Sequence, residues 1–292
     1  MKAILRRLFH ELYLSYRFVW RDLSATVIPN LILTIAALKA KAAWNLPDLL
    51  MALGQTLIYF WLYIYGFCLA NQLSGIDEDR TNKPDRPLSS GLLSYREALG
   101  RWAAVMVIFP LIGFHLGVLK WAILWQVCIV FHNFFGWSRH WFPKNMIIMP
   151  VGVVALMAPA WELVTPLNPT IWRWIVVLAI VVGVTINLQD LRDIQGDRLA
   201  GRKTLPLAWG EKRARAFLCA SFLLLAVVIH FGLMMPAGCT WEVILCDAWL
   251  AAMNIVIAAR IILSRSPRAD HKTYIMYTYW YCCVMASAIV VL

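Results

Sequence analysis

Residues 171–206 read IWRWIVVLAIVVGVTINLQDLRDIQGDRLAGRKTLP: an apolar run from Ile171 to Asn187 that opens into a stretch carrying Asp190, Asp193 and Asp197. A bilayer core of ~30 Å calls for ~20 mostly apolar residues per helix. The run reads as a membrane-spanning helix and its acidic sequel as the helix end at the water interface. Working outward, eight more runs of this kind are found: Ser24–Leu38, Leu50–Ala70, Trp102–Leu119, Trp121–Trp137, Met146–Val164, Ala216–Met235, Val243–Ile262 and Tyr274–Leu292. With 61% hydrophobic residues, 15% charged residues and a mean hydropathy of +0.67, the 292-residue chain is not a soluble globular protein. The fold class predicted is all-α: a polytopic bundle of about nine transmembrane helices forming one domain over residues 1–292.

The formal charge of +11 could suggest a nucleic-acid partner, but its placement argues against one. Of the 27 Lys and Arg, only Lys39, Lys41, Lys120 and Arg173 fall on one side of the predicted membrane. The other 23 lie at the N-terminus or in the loops after the second, fourth, sixth and eighth helices. By the positive-inside rule that side is cytosolic, which leaves Leu292 on the far face. The partner implied is the lipid bilayer; no nucleic acid and no obligate protein partner is expected. The first residues lack a compact apolar core and cleavage site, so the first span is expected to direct insertion, and a eukaryotic endoplasmic reticulum fits. Seven cysteines without C-x-x-C spacing read as small buried hydrophobes rather than metal ligands or disulfides.

Two loops on the basic side share a layout. One runs from Asn71 through Asp77, Glu78, Asp79 and Arg80 to Lys83, Pro84 and Arg86; the other from Asn187 through Asp190, Asp193, Asp197 and Arg198 to Lys203 and Pro206. On a helix, Asp190, Asp193 and Asp197 share one face with Asn187 a turn earlier, and Asn71 and Asp79 share another. Stacked carboxylates repel, so something cationic must compensate them. Magnesium takes one or two carboxylates and fills its shell with water and phosphate oxygens. Two acidic clusters facing each other at the mouth of a helix bundle, flanked by Arg and Lys, suit a metal–diphosphate complex. Charges near the bilayer are costly unless used, which weighs against idle surface ion pairs. Asp77, Glu78 and Asp85, taken singly, read as surface charges.

The stretch Asp-Arg-x-Asn-Lys-Pro-x-Arg-Pro within Asn71–Pro87 resembles the first signature of the UbiA superfamily of membrane prenyltransferases. Asp190–Pro206, with Asp-x-x-Asp-x-x-x-Asp followed by Gly-x-Lys-Thr-Leu-Pro, resembles the second. The resemblance implies a UbiA-like bundle around a central cavity, magnesium as cofactor and a prenyl diphosphate as substrate. It implies Asn71, Asp79, Asp190, Asp193 and Asp197 as catalytic metal ligands, with Asn187 a further candidate, and Arg80, Lys83, Arg86, Arg198 and Lys203 as diphosphate-binding groups. One departure stands out: Gly75 replaces the Asp usual four residues after the Asn, so the site either holds fewer metals there or takes Asp77 or Ser74 as a substitute. The Asn71 and Asp79 pair at i and i+8 resembles, by analogy only, the Asn-Ser-Glu metal triad of soluble class I terpene cyclases.

Members of the superfamily differ in what quenches the carbocation. Transferases present an aromatic acceptor; cyclases use the prenyl chain's own double bonds and need aromatic faces to stabilise migrating charge. The altered first signature and the supply of 15 Trp, 13 Phe and 10 Tyr favour a terpene cyclase of the fungal class I type acting on farnesyl or geranylgeranyl diphosphate. The aromatics singled out are Tyr59, Phe60, Trp61, Tyr63, Tyr65 and Phe67, then Trp121, Trp125, Phe131, Phe134, Phe135 and Trp137. Most are expected in interface belts and packing. Intermolecular transfer is the alternative; a non-catalytic prenyl-lipid carrier is a second. His115, His132 and His230 read as packing residues.

Overall fold

The computed structural model describes residues 2–41 and 44–292, so Met1, Ala42 and Ala43 lie outside the described residues. Among the described residues the chain is nearly all helix, with no strand. It begins with α1 (Lys2–Val19), passes through a 3₁₀ turn at Trp20–Ala25 and resumes as α2 (Val27–Ala40), bent by 57° from what precedes it. The first apolar run is therefore half of a broken span, with Arg17, Arg21 and Asp22 at and beside the break.

Most later helices run past their apolar cores because local capping extends them. At the start of α3 (Leu46–Ser74) the Asn45 side chain accepts from Asp48 N at 2.9 Å, and the Asp48 carboxylate accepts from Asn45 N at 3.1 Å. The short α4 (Ile76–Asn82) follows Gly75. Ser94 and Glu97 repeat the reciprocal cap at α5 (Tyr95–His115). The run expected over Trp121–Trp137 stops early, as α6 (Leu119–Asn133), because the chain turns at Gly136, whose φ is +76°. A π-turn over Phe142–Ile148 leads into α7 (Met149–Glu162). Then come α8 (Pro169–Thr185), α9 (Ile194–Leu199), α10 (Leu205–Trp209), α11 (Glu211–Ile229), α12 (Trp241–Leu263) and α13 (Pro267–Val291).

Among the described residues, seven helical segments are long and apolar enough to cross a membrane, or eight if the bent pair is one span. The 15 residues of α6 extend only about 22 Å. Spatial order follows chain order: α2 packs on α3, α3 on α5, α5 on α6, α6 on α7, α7 on α8, α8 on α11, α11 on α12, α12 on α13, and α13 back on α2. The ring thus closes. Small residues let helices approach closely, with Ala36 and Ala37 of α2 and Ala155 and Ala158 of α7 fully buried. Arg215 forks onto Asp270 at 2.7 and 2.8 Å, tying α11 to α13. Outward-facing side chains such as Leu111, Phe114, Ile180, Leu224 and Trp249 are exposed, an apolar exterior that a bilayer covers. No cysteine among the described residues is paired.

Candidate active site

The helix break at Gly75 decides the first loop. Because α3 stops at Ser74 and α4 restarts at Ile76, Asn71 and Asp79 do not lie on one continuous helix. They converge nonetheless on Arg86, whose Nη1 donates to Asn71 Oδ1 at 3.0 Å and to the two Asp79 oxygens at 2.9 and 2.8 Å. Asp79 is 2% exposed. Burial raises its pKa, against the opposing pull of Arg86 and Lys83. Arg86 is held in its charged form: burial opposes this, but Asp79 and Asp22 outweigh it.

The second loop corrects the expectation of three carboxylates on one helical face. The chain tightens to 3₁₀ over Ile186–Leu191, turns at Arg192 and Asp193, and only then forms α9. The carboxylates diverge, Asp190 toward Lys144, Asp193 toward Lys83 and Asp197 toward Arg202, which lessens the repulsion a regular helix would impose. Asp190 turns inward to Lys144, with Nζ to Oδ1 at 2.6 Å, and also accepts from Asn145 at 3.2 Å. Asn187 accepts from the same Asn145 amide at 2.8 Å. Asp193 pairs with Lys83 of the first loop at 3.3 Å. Burial would raise its pKa, but Lys83 and Arg192 prevail and hold it at about 2. Asp197 faces Arg202 at 3.6 Å, and there burial wins, pushing the carboxyl up to about 7.

The two loops meet. Besides the Lys83–Asp193 pair, Asn82 donates to Asp193 O at 3.3 Å and accepts from Gly196 N at 3.2 Å. A Cβ on Gly196 would stand 2.3 Å from the Asn82 amide, so this contact requires glycine. Glu78, read from sequence as a surface charge, is instead buried and paired with Arg202, while Asp77 and Asp85 do lie at the surface, pairing with Arg80 and Arg21. Beside Gly75, Arg202 Nη2 and Glu78 Oε2 lie 3.5 and 3.6 Å from the position a Cβ would occupy, while Asp77 pairs with Arg80 and the Ser74 hydroxyl donates to Asn71 O.

One cavity opens beneath these loops, lined at its mouth by Asn71, Glu78, Lys83, Arg86, Asp193 and Asp197. Asp79 and Asp190 stand just behind, each gripping a cation, Arg86 or Lys144, that does line the cavity. Arg80, Arg198 and Lys203 are exposed and outside it. Lys144, Asn145 and Arg202 were not singled out by the sequence reading. For Lys144 the available signal was a Lys just before an apolar run; the π-turn that aims it was not visible.

The oxygen-rich donor set suits a hard cation. Asp197 Oδ2 and Asn145 Oδ1 are buried without a hydrogen-bond partner. Among the described residues no three His, Cys, Asp or Glu side chains form a ready-made metal cage. Magnesium does not need one, because it completes its shell with water and substrate phosphate. The residues present therefore fit a metal that arrives with a diphosphate.

Below the mouth the walls become aromatic. Tyr63 and Trp125 stack at 4.3 Å and 2°, and Phe67 lies 5.4 Å from Trp125. Trp125 Nε1 donates to Tyr63 O at 2.9 Å and the Tyr63 hydroxyl donates to Gly152 O at 2.9 Å. Of the aromatics anticipated, Tyr63, Phe67 and Trp125 line the cavity; Tyr274, Tyr277 and Tyr281 of α13 join them, unforeseen. His132 also lines it, its Nδ1 donating to Asn133 Oδ1 at 3.1 Å, while His230 pairs with Asp247 away from it.

Comparison with known proteins accords with this site. The UbiA prenyltransferase family model matches residues 30–282. Somaliensene A/B synthase of Streptomyces somaliensis is 43% identical over 290 residues, 99% of this chain and 96% of that protein. Two Hericium erinaceus proteins are similar: diterpene cyclase eriG, 34% identical over 94% of this chain and 87% of its own length, and polyprenyl transferase eriF, 32% identical over 94% of this chain and 93% of its own. A UbiA homologue from Archaeoglobus fulgidus, solved bound to GPP and Mg2+, shares the fold with a TM-score of 0.65 at 15% identity, covering 95% of this chain and 100% of that one. The chain belongs to the UbiA prenyltransferase family and is a multi-pass membrane enzyme of it, a terpene cyclase or prenyltransferase that uses a prenyl diphosphate.

Proposed function

We propose that the protein ionises a farnesyl or geranylgeranyl diphosphate with magnesium and cyclises the resulting cation within the bundle. The observation that carries this reading is one cavity with a cationic, carboxylate-edged mouth over a chamber walled by Tyr63, Phe67, Trp125, Tyr274, Tyr277 and Tyr281. Bound magnesium would neutralise the leaving diphosphate and so weaken the allylic C–O bond. Asn71, Asp79, Asp190, Asp193 and Asp197 would hold it, with Glu78 at the same mouth. Lys83, Arg86, Lys144 and Arg202 bind the diphosphate oxygens by charge-assisted hydrogen bonds once their own carboxylates turn to metal. The helix walls keep water from the cation, and the aromatic faces stabilise positive charge as it migrates. In this reading the mouth faces the cytosol, which the distribution of Lys and Arg supports.

Transfer to an aromatic acceptor is the second reading, favoured by the likeness to polyprenyl transferase eriF. Membranes containing the protein, fed prenyl diphosphates one at a time without acceptor, separate the two. A cyclic hydrocarbon or alcohol supports cyclisation. Prenylated aromatics formed only when an acceptor is added refute it.

A further inference from the structure

Four carboxylates line the cavity: Asp22, Glu78, Asp193 and Asp197. Three of them are bound to cations, Glu78 and Asp197 to Arg202 and Asp193 to Lys83. Asp22 alone has no ion pair among the described residues. Its side chain instead takes the thiol hydrogen of Cys68, with Sγ to Oδ2 at 3.5 Å.

The position of Asp22 is as distinctive as its lack of a cation. Cys68 precedes Asn71 by three residues on α3, so it lies about 4.5 Å deeper, below the level where Arg86 meets Asn71. Asp22 sits in the 3₁₀ turn between α1 and α2, which contributes Asp22 and Ala25 to the cavity wall and has no buried residue. Irregular backbone at membrane depth is tolerated where it lines a cavity. Three contacts fix the turn: Thr26 Oγ1 donates to Asp22 O at 2.6 Å, Ser24 and Thr278 hydroxyls meet at 2.9 Å, and Cys282 Sγ donates to Ser24 O at 3.1 Å. The chain has thus broken a membrane helix and pinned the break to α13, leaving a carboxylate that feels Arg86 through space but makes no direct ion pair, on the seam between the charged mouth and the aromatic chamber.

A carboxylate there has a use in the cyclisation proposed above, on which this inference rests. Forming a hydrocarbon from a cyclic carbocation requires loss of a proton. We propose that Asp22 is the base that accepts it. The C–H bond beside the cationic carbon breaks, its electron pair becomes the new C=C bond, and the proton passes to an Asp22 oxygen. The resulting acid then gives the proton to the departing diphosphate, so that olefin and hydrogen diphosphate are the products and Asp22 is again a carboxylate. Carboxylates already committed to metal or cation are poor candidates for this step. Asp22, hydrogen-bonded to a thiol and without a direct ion pair among the described residues, is not so committed.

The test uses the full-length protein with magnesium and the prenyl diphosphate that yields a cyclic product, following diphosphate release and product composition together. Asp22→Asn preserves shape and breaks no ion pair. It is expected to lower the native olefin by about 100-fold, with diphosphate release falling far less and prematurely quenched alcohols or other olefins appearing. Asp22→Glu should recover part of the native olefin. An unchanged product ratio in Asp22→Asn overturns the proposal and assigns deprotonation to diphosphate or His132. Proportional loss of release and olefin, with an increased magnesium requirement and an unaltered unfolding temperature, overturns it in favour of a metal-site role. A wild-type protein that makes no cyclic product defeats the cyclisation reading itself, and does so before any variant is compared.

Discussion

Replacing Arg86 by Met would remove the cation that joins Asn71 to Asp79 while keeping most of the side-chain volume. Three contacts of 2.8–3.0 Å are lost, and Asp79, 2% exposed, is left without its principal partner. Breaking a buried ion pair from one side costs about 3–5 kcal/mol. At about 2–4 °C per kcal/mol for a chain of this size, the unfolding midpoint should drop by roughly 6–20 °C. Adding Asp79→Asn removes the stranded charge and should restore about half of that loss. The dependence on pH follows in sign. Burial already raises the Asp79 pKa in the folded protein, and without Arg86 it rises further, so the folded state binds the proton more tightly than the unfolded chain does. Stability of the single variant should therefore increase as pH falls from 7 toward 5, which the double variant should not show. Thermal unfolding of metal-free protein in detergent, across that pH range, measures both effects. A loss under about 1 kcal/mol, or no recovery in the double variant, would refute the argument that this pair organises the first loop. Diphosphate release should be lost in both variants, so that recovered stability without recovered activity separates the two roles of Arg86.

Chelation with EDTA should abolish diphosphate release and added magnesium should restore it; release that survives chelation removes the metal from the reaction. Lys144→Met should reduce release by at least about 100-fold, whereas Arg80→Ala, Arg198→Ala and Lys203→Ala, all at exposed positions, should each change it by less than about 3-fold. Gly152→Ala would place a Cβ 2.7 Å from Trp125, displace that ring from Tyr63 and cost about 1–3 kcal/mol, with a changed product ratio as the second readout. Gly196→Ala, whose Cβ would meet Asn82 at 2.3 Å, should part the two loops and weaken magnesium-dependent thermal stabilisation. An unshifted magnesium response would count against that contact.

Much of this architecture is legible in the residues because a bilayer imposes long apolar runs separated by short polar stretches. The ends of helices were less so: Asn45 with Asp48, and Ser94 with Glu97, prolong α3 and α5 by local capping that an apolar count does not register. At the site, the sequence brings out the acidic residues but not their directions. Periodicity assumes a regular helix, whereas the chain breaks at Gly75 and narrows to 3₁₀ after Thr185, so Glu78 turns inward and Asp190 swings behind Lys144. Lys144 and Arg202 escaped notice for a related reason. Their roles come from a π-turn and from the meeting of distant loops, neither of which has a short-range signature.

The clamping of the aromatic wall has a practical corollary. Trp125 is fixed by Tyr63 O and Tyr63 by Gly152 O, so these rings form a mould that does not adjust itself to its guest. Directed evolution of new ring skeletons should gain more from loosening what anchors the mould, at Gly152 and along α7, than from swapping the rings one by one.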